Sequence, residues 1–126
     1  MQFYSRLTAL KQEYPRLVVL GMFDGVHIGH QSIIKRAVEL AREHGGKCLV
    51  FTFSNHPLSV VAPQSLPPQI ANNMLKKHLM EELGVDILMA IPFTKDLARR
   101  TPEEFMELLR DYFAPRVVVT GPNYTF

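Results

Sequence analysis

The chain has 126 residues, of which 47% are hydrophobic and 21% are charged, and its formal net charge is +2. This composition excludes an intrinsically disordered chain and predicts one compact domain. The weak positive charge suits anionic ligands but does not indicate a nucleic-acid partner, because nucleic-acid-binding domains usually cluster their lysines and arginines. A single cysteine excludes an intrachain disulfide and favours a reducing compartment. No apolar run reaches the ~18 residues of a membrane span, and the polar first residues do not resemble a signal peptide, so we expect a cytoplasmic protein.

The first half of the chain predicts a strand, a helix and a second strand. Residues 17–23 are apolar and β-branched at their start, which favours a buried strand. Residues 28–44 carry apolar side chains on one face and charged side chains on the other, which predicts an amphipathic helix that Gly45 and Gly46 end. Residues 47–53 predict the second strand, and the prolines between residues 54 and 68 exclude regular structure there.

The second half continues the alternation. Leu75, Leu79 and Leu83 have helical spacing and predict a helix that Gly84 ends, and residues 85–91 predict a third strand. Residues 101–104 predict a helix start, because a threonine cap is followed by proline in the first turn and by a glutamate that completes a capping box. The apolar face of that helix comprises Phe105, Leu108, Leu109, Tyr112 and Phe113. Residues 116–120 predict a fourth strand.

Strands that alternate with helices indicate an α/β fold, with a parallel sheet and helices on both faces. Ligands of such sheets bind beyond the carboxyl ends of the strands, where the strand order reverses. The loops after the first and fourth predicted strands are therefore the first candidates for a site.

The first of these loops, GMFDGVHIGH at residues 21–30, holds three glycines and two histidines. Glycines let backbone amides approach a ligand, and the start of the following helix favours an anion. His27 and His30 lie three residues apart, and they can donate hydrogen bonds to phosphate oxygens as charge develops on them. The string is neither a P-loop nor a G-x-G-x-x-G fingerprint.

Two other interpretations of these histidines remain open at this point. Either histidine can be a structural residue at a helix start. A zinc site would need three or four ligands, and His56 is the candidate for a third ligand by its distance in sequence alone.

The H-x-G-H motif at residues 27–30 resembles that of nucleotidyltransferases with a Rossmann-like domain. The longer string at residues 21–31 resembles the bacterial FAD synthetases, in particular the FMN adenylyltransferase module of the bifunctional riboflavin kinase/FAD synthetase. Further resemblances follow in order at residues 52–57 (TFSNHP), 83–86 (LGVD), 102–105 (PEEF) and 117–126 (VVVTGPNYTF). Asn55 stands where the family usually has proline, and no segment resembles the family's later I-S-S-T-x-x-R.

The resemblance implies transfer of AMP from ATP to FMN, which gives FAD and pyrophosphate, with Mg²⁺ carried by ATP. It implies catalytic roles for His27, His30 and Asn123. The implied ATP-binding residues are Gly21, Phe23, Asp24, Gly25, His27, Gly29 and His30. The implied flavin-binding residues are Asn55, His56 and Pro57. No protein ligand is expected for the metal, and a riboflavin kinase domain is the expected partner domain.

The resemblance also predicts that residues 1–126 form an FMN adenylyltransferase domain that is incomplete at its C-terminus, and that the isolated chain has little or no activity. Two alternatives stay open: a nucleotidyltransferase with another phosphate acceptor, and a nucleotide- or flavin-binding module without turnover.

The remaining candidates favour structural roles. Cys48 is expected in the core. Core positions are also expected for Met74, Met80, Met89, Phe93 and Phe113. Solvent-exposed positions are expected for Lys76, Lys77, Arg99 and Arg100.

Overall fold

Five strands form one parallel sheet in the computed structural model. The structure describes residues 1–10, 17–21, 28–54 and 73–120; within these ranges, residues 28–30 and 73 are described by their backbone alone. The strands are β1 (Gln2–Tyr4), β2 (Leu17–Leu20), β3 (Cys48–Phe53), β4 (Ile87–Ile91) and β5 (Val117–Thr120). The helices are α1 (Ile28–Glu43), α2 (Asn73–Glu82), α3 (Lys95–Ala98) and α4 (Pro102–Phe113). The order of strands across the sheet is β1-β4-β3-β2-β5.

The predicted α/β fold and its parallel sheet are confirmed, and the two cores show how the helices cover both faces. Side chains alternate between the faces of a strand. Val18, Phe51 and Met89 therefore pack on one face with α3 and α4. Val19 and Val50, one residue out of phase, pack on the other face with α1 and α2.

Two elements were missing from the sequence-based prediction. Strand β1 has only three residues, too few for a readable alternation, and it is held by parallel pairing with β4, which includes a 2.9 Å hydrogen bond from the Gln2 amide to the Asp86 carbonyl. Helix α3 is a single turn capped by Thr94, whose hydroxyl accepts from the Leu97 amide at 3.3 Å.

The predicted strand boundaries were slightly too generous. The strand predicted at residues 17–23 ends at Leu20, and those predicted from residues 47, 85 and 116 begin at Cys48, Ile87 and Val117. Asp86, just before β4, still pairs through its backbone, since its amide donates to the Cys48 carbonyl at 3.1 Å, and its carboxylate accepts a further 2.9 Å hydrogen bond from the Cys48 amide.

The helix ends follow the predicted signals. Helix α1 ends at Glu43, and Gly45 then adopts φ +66°, a left-handed conformation that glycine tolerates. Thr101 caps α4, with its hydroxyl accepting from the Glu104 amide at 3.1 Å, and Pro102 opens the helix. Each predicted apolar residue of α4 contributes to the core, with Tyr112 partly buried.

Two predicted positions on α2 were wrong: Met74 was expected in the core and Lys76 at the surface, and the structure shows the reverse. Leu75 is 47% exposed and Met74 is 83% exposed, whereas Lys76 is buried at 5%. The buried side of the helix follows Lys76 and Met80, four residues apart, so that the stripe of leucines lies at the edge of the contact. Lys77, Arg99 and Arg100 are exposed as expected, Met80, Met89 and Phe113 are buried, and Phe93 is partly buried.

Candidate functional site

The strand order reverses at β2. From this strand the chain moves to β3 and then β4 on one side, and it returns to place β5 on the other side. Such a reversal opens a crevice between the loops that leave the two adjacent strands, and ligands of open α/β sheets bind there. The switch point thus lies between β2 and β5, the two strands that precede the candidate loops.

Backbone pairing brings the starts of these two loops together. Leu20 is in register with Thr120 of β5 and with Phe51 of β3, so the ladders end at one common edge, which we call the carboxyl edge. The buried Gly21 continues the ladder by one residue, because its amide donates to the Phe51 carbonyl at 3.3 Å. Gly21 is thereby held beside β3 at the position where the glycine-rich loop begins.

Helix α1 starts at the same edge, since it follows β2 and runs back to the start of β3. Gly29 and His30 lie in its first turn, and the whole helix is 16 residues, or about 24 Å, long. The positive end of its dipole therefore lies near the switch point, where it favours a bound anion.

Most of the predicted site residues lie outside the described part of the chain. These are Phe23, Asp24, Gly25, His27, Asn55, His56, Pro57 and Asn123. The structure brings Gly21 and the backbones of Gly29 and His30 to the carboxyl edge, and their predicted roles stay predictions.

Sequence reasoning missed two buried polar side chains near this edge. Thr52 is fully buried as the next-to-last residue of β3, and Lys76 is buried in the first turn of α2. Thr52 was missed because the rest of β3 is apolar, and Lys76 was missed because the leucine spacing marks a neighbouring stripe of α2. The signals that would have found them are the alternation from Val50 to Thr52 along the strand and the four-residue spacing from Lys76 to Met80 along the helix.

The opposite end of the sheet, the amino edge, carries an ion pair. The Arg42 guanidinium, near the end of α1, donates to both Asp86 carboxylate oxygens at 2.6 and 3.0 Å, and to the Gly84 carbonyl at 3.1 Å. Burial alone would raise the pKa of Asp86, but the hydrogen bonds from Arg42 and from the Cys48 amide outweigh it and hold this pKa below its usual range. The hydrogen bond to Asp86 likewise raises the pKa of Arg42.

Cys48 is a core residue, as expected from the sequence. Its side chain is fully buried, and burial, together with the negative charge of Asp86, raises the pKa of the thiol to about 12. The thiol is therefore protonated at neutral pH and is a poor nucleophile.

Two hollows between described residues lie beside β5 and away from the start of α1. One of about 270 Å³ is apolar and lies at the amino edge, between Leu17, Leu40, Ala41 and Val117, with His44 and Arg116 in its lining. The other runs along α4, between Met106, Leu109 and Val118. Neither contains a residue of the predicted site.

The described residues contain no group of three or more histidine, cysteine, aspartate or glutamate side chains that could hold a metal ion. No helix among them is both long enough and apolar enough to span a membrane.

A sequence profile described as FAD synthetase matches residues 9–126 of this chain. Among curated proteins, the chain is 34% identical over 119 residues to the bifunctional riboflavin kinase/FMN adenylyltransferase of Bacillus subtilis strain 168, which covers 93% of this chain and 38% of that protein. It is 33% identical over 117 residues to the FAD synthetase of Listeria monocytogenes, covering 92% of this chain and 47% of that protein. The chain thus spans less than half the length of these two relatives.

A solved structure shares the fold over the whole chain. The crystal structure titled macrolide-efflux protein, from Streptococcus pneumoniae, superposes with a TM-score of 0.86 at 28% identity, over 100% of this chain and 50% of that one. Because the profile match covers nearly all of the sequence, and because the fold and the H-x-G-H position agree with it, this chain belongs to the FAD synthetase family.

Proposed function

We propose that the protein is an FMN adenylyltransferase, which transfers AMP from ATP to FMN and gives FAD and pyrophosphate. The observation that carries the proposal is the position of the H-x-G-H motif: it ends in the first turn of α1, beside the switch point of a sheet in a member of the FAD synthetase family. A family match alone would indicate the chemistry, and the position of the motif indicates where it takes place.

The reaction makes one bond and breaks one bond. An oxygen of the FMN phosphate attacks the α-phosphorus of ATP, and the bond between that phosphorus and the oxygen bridging to the β-phosphorus breaks. Pyrophosphate leaves with the negative charge. No covalent intermediate with the protein is needed, so the protein acts by positioning two anions and by stabilising charge on the leaving oxygen.

In this proposal the nucleotide lies across the start of α1. His27 and His30 donate hydrogen bonds to the ATP phosphates, and the α1 amides and helix dipole stabilise the same charge. The loop glycines let the backbone approach the nucleotide closely, and Asn123 positions phosphate from the β5 side. The nucleotide-lining set is Gly21, Phe23, Asp24, Gly25 and Gly29. The flavin-side set is Asn55, His56 and Pro57.

Magnesium enters the proposal only as an ion bound to ATP. Mg²⁺ keeps several of its waters and is commonly held by substrate phosphates with one or two carboxylates. The proposal assigns it no protein ligand. The chemistry that it supplies when bound is neutralisation of phosphate charge.

The wider proposal concerns the full-length protein. The Bacillus subtilis relative is named as a bifunctional riboflavin kinase/FMN adenylyltransferase, and the present chain covers 38% of it. We propose that a riboflavin kinase domain follows this domain, which would supply FMN directly. A cytoplasmic location is proposed as well, and the single buried cysteine is compatible with a reducing compartment.

The test uses protein expressed from its complete reading frame. It is incubated with FMN, ATP and magnesium, and FAD is separated by chromatography while pyrophosphate is measured by a coupled assay. The expected result is one FAD and one pyrophosphate for each FMN consumed.

Parallel reactions with other phosphate monoesters test for a different acceptor, and calorimetry with ATP and FMN tests for binding without turnover. Faster turnover of another acceptor, or binding of both substrates without any FAD, would contradict the proposal.

A further inference from the structure

Two buried polar side chains lie together in one layer of the fold. Among the described residues, Thr52 and Lys76 are the two polar side chains that are buried, with 0% and 5% exposure. Thr52 is two residues beyond Val50, so it points to the same face of β3, where α1 and α2 pack. Lys76 is four residues before Met80, which belongs to the same core, so it lies on the inner side of α2.

Both residues also lie toward the carboxyl edge. Thr52 is near the carboxyl end of β3, and α2 begins at that edge because it leads from β3 back to the start of β4. They therefore flank the two ends of one connection, from residue 54 to residue 72. The proposed flavin-side residues Asn55, His56 and Pro57 belong to that connection.

Burial is costly for a lysine at this position. Lysine is almost never fully buried unless it is paired, and removing an ammonium from water costs several kcal/mol. Thr52 and Lys76 each have an interaction partner. Even so, a protein with an apolar residue of similar volume is often as stable as one with a buried, paired charge. A positive charge held at the edge where the substrates bind has instead a functional explanation.

The strand order places Thr52 and Lys76 on the side of β2 from which the connection with the proposed flavin-side residues leaves the sheet. The proposed ATP contacts follow β2 and begin α1, whereas Thr52 lies on β3 and Lys76 on the helix that leads to β4, on the side of β2 away from β5. The acceptor, FMN, carries a phosphate monoester with a charge near −2. In a poorly hydrated layer a fixed positive charge acts on such a group more strongly than it does in water.

We propose that Lys76 and Thr52 form a positioning pair for the flavin acceptor: together they hold the acceptor side of the site and favour the FMN phosphate there. The inference rests on the proposed function. It predicts a selective effect on FMN, whereas loss of a purely structural contact would affect both substrates or only the stability.

The experiment compares Lys76→Met with Lys77→Met in protein expressed from its complete reading frame. Lys77 is the matched control, because it is the next residue, is exposed, and lies with its Nζ atom 4.6 Å from the centroid of the Phe3 ring. The KM for FMN is measured at saturating ATP, the KM for ATP at saturating FMN, and the Tm for each variant.

The expected result for Lys76→Met is a rise of about tenfold in the KM for FMN, with the KM for ATP changed by less than about twofold. Lys76→Arg restores most of the FMN effect because it keeps the charge, and Lys77→Met leaves both constants unchanged. Thr52→Val, with Thr52→Ser as its control, gives a smaller shift of the same kind and replaces Lys76→Met if that variant does not fold.

Equal changes in both KM values, or a lower Tm with both KM values preserved, would overturn the inference and leave the proposed function intact. The absence of FAD formation by the wild type would instead overturn the proposed function, and this inference with it.

Discussion

The charged side chains at the two edges of the sheet differ in how exposed they are. At the amino edge, Arg42 and Asp86 form a two-point ion pair whose side chains are 51% and 24% exposed. At the carboxyl edge, Lys76 is 5% exposed, close to the loops that carry the proposed chemistry. A partly hydrated ion pair costs less desolvation than a fully buried ammonium, and it contributes modestly to stability. We therefore expect substitutions at the amino edge to change stability and substitutions at the carboxyl edge to change activity.

A substitution in the core between the two edges should disturb both edges, because it destabilises the whole fold. Phe51 is 1% exposed, and its ring lies 5.8–6.0 Å, between centroids, from the rings of Phe53, Phe105 and Phe113. We expect Phe51→Ala to lower the free energy of unfolding by about 3–5 kcal/mol, because it leaves a cavity and removes three aromatic contacts. Urea unfolding measures it, with the 46%-exposed Met106→Ala as control. A loss below about 1 kcal/mol would mean that the ring cluster is not the centre of this core.

A change at the carboxyl edge should affect catalysis without affecting stability. We expect His30→Ala to lower kcat about 10²–10³-fold, because it removes a donor to developing phosphate charge, while the Tm stays within a few degrees of the wild type. His44→Ala is the matched control, since His44 is exposed just beyond the other end of α1. Steady-state FAD formation measures both. Comparable activity of the two variants would remove His30 from the proposed mechanism.

A change at the amino edge should have the reverse outcome. We expect Asp86→Ala to lower the free energy of unfolding by about 1–3 kcal/mol, because Arg42 and the Cys48 amide both lose their acceptor. The KM values of the folded enzyme for FMN and ATP should not change. Asp96→Ala is the control, because its carboxylate is 90% exposed and lies 3.9 Å from Arg99. A selective change in either KM would show that the two edges are not independent.

Much of the fold was predictable because its signals are local. The period of α1, the cap at Thr101 and the glycine after α1 are each read within a few residues, and all three are confirmed. Strand β1 was not predictable, since its three residues are ordered by pairing with β4, more than 80 positions along the chain. The wrong predictions for Met74 and Lys76 have a similar cause: the contact with the sheet decides which of two adjacent helical stripes is buried.

The site divides in the same way. The H-x-G-H motif and the glycine loop were found from sequence because adjacent residues define them, and the switch point followed from the alternation of strands and helices. The burial of Lys76 and the ion pair of Arg42 with Asp86, 44 residues apart, depend on packing between distant segments. A pattern of apolar and polar residues carries no signal for such contacts.

The pH dependence of stability gives the finest test of the amino edge. The pKa of Asp86 is lower in the folded state than its ordinary value of about 4, so ionised Asp86 stabilises the fold. This contribution is fully present above the unfolded pKa and is lost as the pH falls through the folded pKa. We therefore expect wild type and Asp86→Asn to differ in free energy of unfolding by a constant amount from pH 7 to about 5, and to converge below about 4. Urea unfolding at pH 7, 5, 4 and 3 measures this, and the Asp96→Asn control should track the wild type throughout. A gap that stayed constant down to pH 3 would mean that hydrogen bonding by Asp86, and not its charge, stabilises this edge.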